Sequence, residues 1–173
     1  IAVGYQALYY NTTASGVIGI GSFSLYTNTT GTNNVGVGQA SLYFNTIGIN
    51  NVAINYFSLY NNTTGTDNIA IGYQALKANT IAQSNVGIGS GALSATTTGS
   101  YNTAVGYAAM ATNTTGTGTA FGTDALGKNT TGIANVAIGG YDGVGGGVGA
   151  ALSAAPANVT GSAVSTDIPK LLV

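Results

Sequence analysis

The stretch NIAIGYQAL, Asn68 to Leu76, decides how this chain is read, because the chain keeps rewriting it. With Gly72 as a marker, steps of seventeen residues land on Gly21, Gly38, Asn55, Gly89 and Gly106, with Gly4 at the start. One residue is then lost, and the series resumes at Gly122 and Gly139. Four residues past each marker stand Leu8, Leu25, Leu42, Leu59, Leu76, Leu93, Met110 and Leu126. A period this regular denotes stacked repeats, each one a small supersecondary unit.

Within the unit, the third residue before the marker and the one just before it are mostly branched: Ile69 and Ile71 here, Val35 and Val37 or Val86 and Ile88 elsewhere. Only Ala or Gly stands between them. Branched residues at alternate positions make a short strand with one apolar face. The tiny residue on the other face implies that something packs close against it. The marker Gly permits a sharp bend, and Asn55, its one replacement, is a residue type that tolerates positive φ. A small residue (Ala7, Ser24, Ser41, Ser58, Ala75, Ala92, Ala109, Ala125) then precedes the Leu, and the pair reads as a second short buried strand. Tyr9, Tyr26, Tyr43 and Tyr60 follow the Leu and are placed to stack as a ladder, a column that continues with Lys77, Ser94, Ala111 and Gly127. The Asn-Thr-Thr-Gly corner, fullest at Asn62 to Gly65 and Asn129 to Gly132, supplies turn chemistry.

Strand, bend, strand and turn leave each unit too little apolar surface to fold alone, so the units must stack to bury a continuous core. The expected fold is all-β: a β-solenoid or β-roll of about eight 17-residue coils over residues 1–139. Helix competes poorly in units broken by Gly and rich in Thr and β-branched residues. At about 4.8 Å per coil, eight coils make a rod roughly 40 Å long. Residues 140–150, which include GYDGVGGGVG from Gly140 to Gly149, read as a Gly-rich connection. Residues 151–173 read as an extended C-terminal tail, since Pro156 and Pro169 oppose a regular helix. That tail either caps the last coil or docks on a neighbouring subunit through Ile168, Leu171, Leu172 and Val173. The chain opens on Ile1, inside a unit, and so reads as a processed product or a segment of something longer.

Composition removes several functions. The 173 residues carry four Asp and three Lys, with no Glu, Arg, His or Cys. So few cations cannot track a phosphate backbone, which excludes nucleic acid as a partner. Without Cys there are no disulfides and no thiolate metal sites. The weakly polar run over residues 136–157 is dense in Gly and contains Asp142, so no membrane span is expected. Catalysis finds few groups to use. Asp124 and Asp142, on consecutive coils, are the one acid pair able to approach, and they read better as turn positions. The Gly-x-Gly patterns at Gly19, Gly36 and Gly87 are strand-bend residues and not phosphate cradles, because no helix follows. The chain reads as a non-enzyme with no catalytic, cofactor or metal site.

Seven sequons for N-linked glycan occur, at Asn11, Asn28, Asn61, Asn62, Asn113, Asn129 and Asn158. Glycan there would help to keep a chain so short of charge in solution. The competing reading is structural, because Asn45 and Asn79 hold the same corner without a sequon. Amides stacked from coil to coil satisfy one another as a buried ladder. A second column, Asn34, Asn51, Asn68, Asn85, Asn102 and Asn135, closes the unit and is never part of a sequon. There the ladder is the preferred reading.

The units NIAIGYQAL (Asn68 to Leu76), NTAVGYAAM (Asn102 to Met110) and NVGIGSGAL (Asn85 to Leu93) resemble the N-x-A-[IV]-G-x-x-[AS]-L repeats in two kinds of protein. These are the heads of trimeric autotransporter adhesins and the fibre shafts of bacteriophage tail proteins. The resemblance covers residues 1–139. It implies an exposed, fibrous, often trimeric β-solenoid that binds surfaces or serves as a spacer, outside the cell or on a cell or virion surface. Three functions follow as expectations. The first is a structural subunit of an extracellular filament, assembling head to tail with itself. The second is a trimeric adhesin head or tail-fibre shaft that meets a glycan or host cell surface. The third is an ice-binding solenoid.

Overall fold

The computed structural model describes residues 1–140 and the backbone of residues 150–153. Among the described residues every regular element is a strand: β1 Ala2–Val3, β2 Ile18–Ile20, β3 Val35–Val37, β4 Val52–Ile54, β5 Ile69–Ile71, β6 Val86–Ile88, β7 Thr103–Val105, β8 Gly118–Phe121, β9 Asn135–Ile138 and β10 Ala150–Ser153. They form one sheet in chain order. From β1 to β9 each strand pairs in parallel with its equivalent one coil on, so that Ile18 faces Val35 and Val52 faces Ile69. The molecule is an all-β solenoid of about eight turns. β10 runs antiparallel to β9, with Ala150 opposite Ile138 and Ser153 opposite Asn135. It therefore takes the sheet edge that the last coil presents. The docking residues Ile168, Leu171, Leu172 and Val173, and also Asp142 and Asn158, lie outside the described residues.

The lost residue is absorbed in a corner. Thr103 still pairs with Thr119, sixteen residues on, and Gly118 occupies the register position of the closing Asn, opposite Asn135.

The two faces of the strand are reversed from the simplest reading, in which its apolar side is the buried one. The tiny central residue is the one sealed in the core: Ala53, Ala70, Ala104 and Ala120 have no exposed surface. The Leu column packs against that side, and a side chain on Gly87 would meet Leu76 at 3.3 Å. Leu25, Leu42, Leu59, Leu76, Leu93 and Met110 are fully buried. They fill the space that larger residues at the strand centre would need, which is the close packing the Ala/Gly position implied. The branched residues of the strand point outward.

The Leu segment is not a second strand. The residue two past the marker and the Leu itself both take left-handed backbone, as in Phe57 (φ 56) with Leu59 (φ 48) and Gln74 (φ 57) with Leu76 (φ 51). Left-handed backbone is uncommon outside Gly, and here it recurs coil after coil. The coils nonetheless bond through this segment: Leu25 N–H donates to Ser41 O at 2.9 Å and Leu42 N–H to Ser58 O at 3.1 Å. The alternation turns the chain around the core while each backbone donor still finds the next coil, which satisfies the buried peptide groups. At the marker, φ is +122° at Gly21 and +135° at Gly72. A Cβ on Gly21 would meet the Gly38 carbonyl carbon at 2.7 Å, so the bend and the close stacking both need Gly. Asn55 holds the position at φ 98°, with its Oδ1 accepting from Tyr56 N–H at 2.7 Å.

Candidate functional site

Three features run along the rod, the first over its whole length and the others over part of it, and each begins in one column of the repeat. The first is the outward face of β1 to β9. Two columns of Ile and Val, with Thr103, Thr119 and Phe121 in the later coils, stand on it. Ile54 is 36% exposed, Ile69 37% and Ile138 62%. No charged side chain stands in either column. Two columns about 7 Å apart and about 40 Å long cover roughly 300 Å² before side-chain relief is counted, comparable with the largest apolar patch on a single chain, which is often functional. Parallel sheets almost always have both faces covered.

The second feature is polar and internal. The closing column is fully buried from Asn34 to Asn102. Asn51 Nδ2 donates to Asn34 Oδ1 at 3.2 Å, Asn68 Nδ2 to Asn51 Oδ1 at 3.1 Å, and Asn102 Nδ2 to Asn85 Oδ1 at 3.1 Å. The same oxygens accept the next backbone N–H, as from Asn68 N–H to Asn51 Oδ1 at 3.0 Å, while Asn68 Oδ1 accepts from Asn85 through its backbone N–H at 3.1 Å. Asn135 does not join this column. Gly118 stands between, Asn102 Oδ1 has no partner, and Asn135 Nδ2 turns to Asn129 Oδ1 at 3.3 Å.

The corner Asn residues form a parallel spine. Asn28 donates to Asn11 at 3.1 Å, Asn45 to Asn28 at 2.8 Å, Asn62 to Asn45 at 2.7 Å and Asn79 to Asn62 at 2.8 Å. Each Nδ2 also reaches a carbonyl three residues on, such as Asn62 to Gly65 O at 3.1 Å. Thr96 breaks the spine, bonding Asn113 O at 3.0 Å instead, and Asn79 Oδ1 is left without a partner. This geometry corrects the glycan expectation at Asn28, Asn62 and Asn113. Their side chains are wholly buried, so the folded chain leaves no room for a sugar at them. Asn11 and Asn129 are partly buried members of the same spine. Of the described sequons only Asn61 stands outside it.

The third feature is the aromatic wall of the first coils. Tyr9, Tyr26, Tyr43 and Tyr60 stack with ring centroids 5.6, 5.0 and 5.3 Å apart and planes within 28° of parallel. Tyr10, Phe44 and Phe57 pack on this column, Tyr10 and Phe44 edge to face. Lys77, the next residue of the column, sets its ammonium 5.8 Å from the Phe57 ring, a cation–π contact that closes the stack. A hydrogen bond with Tyr10, helped by desolvation, pushes the Tyr26 phenol above its ordinary value, and burial does the same for Tyr60.

No family model, curated protein or solved structure matches the chain. The site's own chemistry therefore carries the functional argument. Among the described residues no three His, Cys, Asp or Glu side chains cluster as metal ligands, and no helix is long and apolar enough to cross a membrane. Asp67 accepts from Asn50 Nδ2 at 3.0 Å on the surface. The exposed Thr column of the corner, Thr30, Thr64, Thr98 and Thr115, is interrupted by Ile47 and Ile81 and stands on turns. The outward Ile and Val columns are the feature that sequence reasoning underused. Their alternation with Ala or Gly was visible, and only packing showed which side the core takes.

Proposed function

We propose that the chain is a non-enzymatic structural rod of an extracellular or virion-surface fibre, in which copies of the rod associate side by side through the apolar sheet face. The observation that carries this reading is the uncharged outward face of β1 to β9. Its partner needs an apolar surface with the same rise per rung along about 40 Å. A second copy has that surface by construction, because identical coils repeat at identical spacing. Closed association of identical rods is the usual way such faces are buried, and the resemblance to adhesin heads and tail-fibre shafts makes three copies the expected number. End-to-end assembly is less favoured, since β10 takes the edge of β9.

Sedimentation of the purified chain over a concentration series, with negative-stain images of the same samples, tests the reading. Short rods of three chains are expected, and Ile54→Lys with Ile71→Lys should give monomers whose circular dichroism is unchanged. A wild-type chain that stays monomeric throughout overturns the proposal. Long filaments that ignore the two lysines would favour head-to-tail assembly instead.

A further inference from the structure

The position just past the marker holds Tyr56, Tyr73, Ser90 and Tyr107 in successive coils. Tyr56 and Tyr73 stack with centroids 5.7 Å apart and planes 5° from parallel. With Tyr56 against one side of it, Tyr73 lines an open space together with residues of the next coil. That coil has no ring to offer. Its three outward positions are Ser90, Gly91 and Ser94, and the aromatic column resumes only at Tyr107. The missing rung leaves an open notch of about 220 Å³ lined by Tyr73, Gln74, Ser90, Gly91, Ser94 and Tyr107, among others. Tyr73 and Tyr107 are 48% and 63% exposed, so both rings are available to a ligand.

We infer that this notch is a binding site for one neutral sugar ring, held between Tyr73 and Tyr107. Two rungs at about 4.8 Å each set the walls roughly 10 Å apart. Subtracting one carbon–carbon contact of about 3.5–4.0 Å at each wall leaves about 2–3 Å for the body of the ligand. A flat aromatic ring, one carbon plane thick, would touch only one wall. A pyranose chair, whose ring atoms lie off one plane and which carries axial substituents, fills more of that space.

The notch is smaller than the roughly 300 Å³ at which pockets for drug-sized ligands begin, which suits a single ring of a longer glycan. Its polar groups are hydroxyls and an amide. Gln74 Nε2 donates to the Tyr73 hydroxyl at 3.1 Å, and Ser94 Oγ donates to Ala111 O at 3.3 Å while keeping lone pairs for a sugar hydroxyl. No charged side chain lines it, and the nearest ammonium on the same wall, Lys77, is turned to Phe57 on the other side. A neutral sugar therefore suits the lining better than a charged one.

The site lies on the segment after the bend, away from the sheet face, so the inference stands apart from the assembly proposal. The test is saturation-transfer NMR of the full chain with methyl glycosides of glucose, galactose and N-acetylglucosamine, with phenol as a flat control. Ring-proton transfer is expected with at least one glycoside. Ser90→Tyr, which rebuilds the rung, and Tyr107→Ala, which removes a wall, should each weaken binding about tenfold, equivalent to about 1.4 kcal/mol. Tyr101→Ala, an exposed ring outside the notch, should leave it unchanged. Oligomeric state, measured on the same samples, should not move. Absence of transfer from every glycoside, binding by phenol alone, or wild-type transfer in both notch variants overturns the assignment.

Discussion

In the coils built on Leu25, Leu42 and Leu59, the outer wall is a stack of aromatic rings. In those built on Leu93 and Met110, the same column holds Ser94 and Ala111, yet the buried side chain is sealed as completely. Core and wall are thus written independently in one repeat. The polar spine divides along the same line. It is unbroken from Asn11 to Asn79 and interrupted at Thr96, while the closing ladder ends at Asn102. Each coil touches only its neighbours, so such differences stay local and stability becomes a sum over coils and interfaces. The first half carries extra surface packing and an unbroken spine. The second half keeps the fold without the aromatic wall and with interrupted amide columns.

The largest expected effect tests the shared part. Leu42→Ala and Leu93→Ala should each cost about 2–5 kcal/mol, and the two losses should agree within about 1 kcal/mol in urea unfolding, since cavity costs depend on the site's packing. A much cheaper loss at Leu93 would mean that the second half is already loose. Asn62→Ala comes next. It strands Asn45 Oδ1 and takes an acceptor from Asn79 Nδ2, and leaving buried groups unsatisfied costs about 1–3 kcal/mol.

The converse change should sharpen the comparison by making the second half more like the first. Thr96→Asn offers a donor to Asn79 Oδ1 and an acceptor to Asn113, and should raise stability by about 0.5–1.5 kcal/mol. A neutral or destabilising result would show that the break is accommodated by Thr96's own bond to Asn113 O. The smallest effect concerns pH. Tyr26 and Tyr60 have phenol values raised above the ordinary 10.0, so folding favours their protonated forms. That contribution is fully present below about pH 10 and is lost as pH rises through the higher folded values. Tyrosinate absorbance should therefore show two late-ionising phenols, both in the first four coils, and Tyr26→Phe should remove one of them.

Much of this was legible in the residues. The period, the parallel register and the buried Leu column follow from spacing alone, because a residue repeated every coil must stack on itself. The corner amides were harder. Asn-Thr-Thr reads equally as a glycan acceptor and as a ladder rung, and burial of Asn28, Asn62 and Asn113 separates the two. Positive φ at Leu59 and Leu76 had no sequence signal, since Leu gives no hint of a backbone that Gly or Asn would announce.

The sequence by itself determined an all-β stack of about eight coils, its corners, its near absence of charge and its want of Glu, Arg, His and Cys. Those properties are additive along the chain and need no knowledge of neighbours. Only the tertiary structure decided which side of each strand faces in, where the two ladders break, that β10 takes the edge of β9, and that Ser90 leaves a notch between Tyr73 and Tyr107. Each of these depends on atoms distant in the chain meeting at contact distance. Spacing says which residues share a column, and packing alone says what lies across from it.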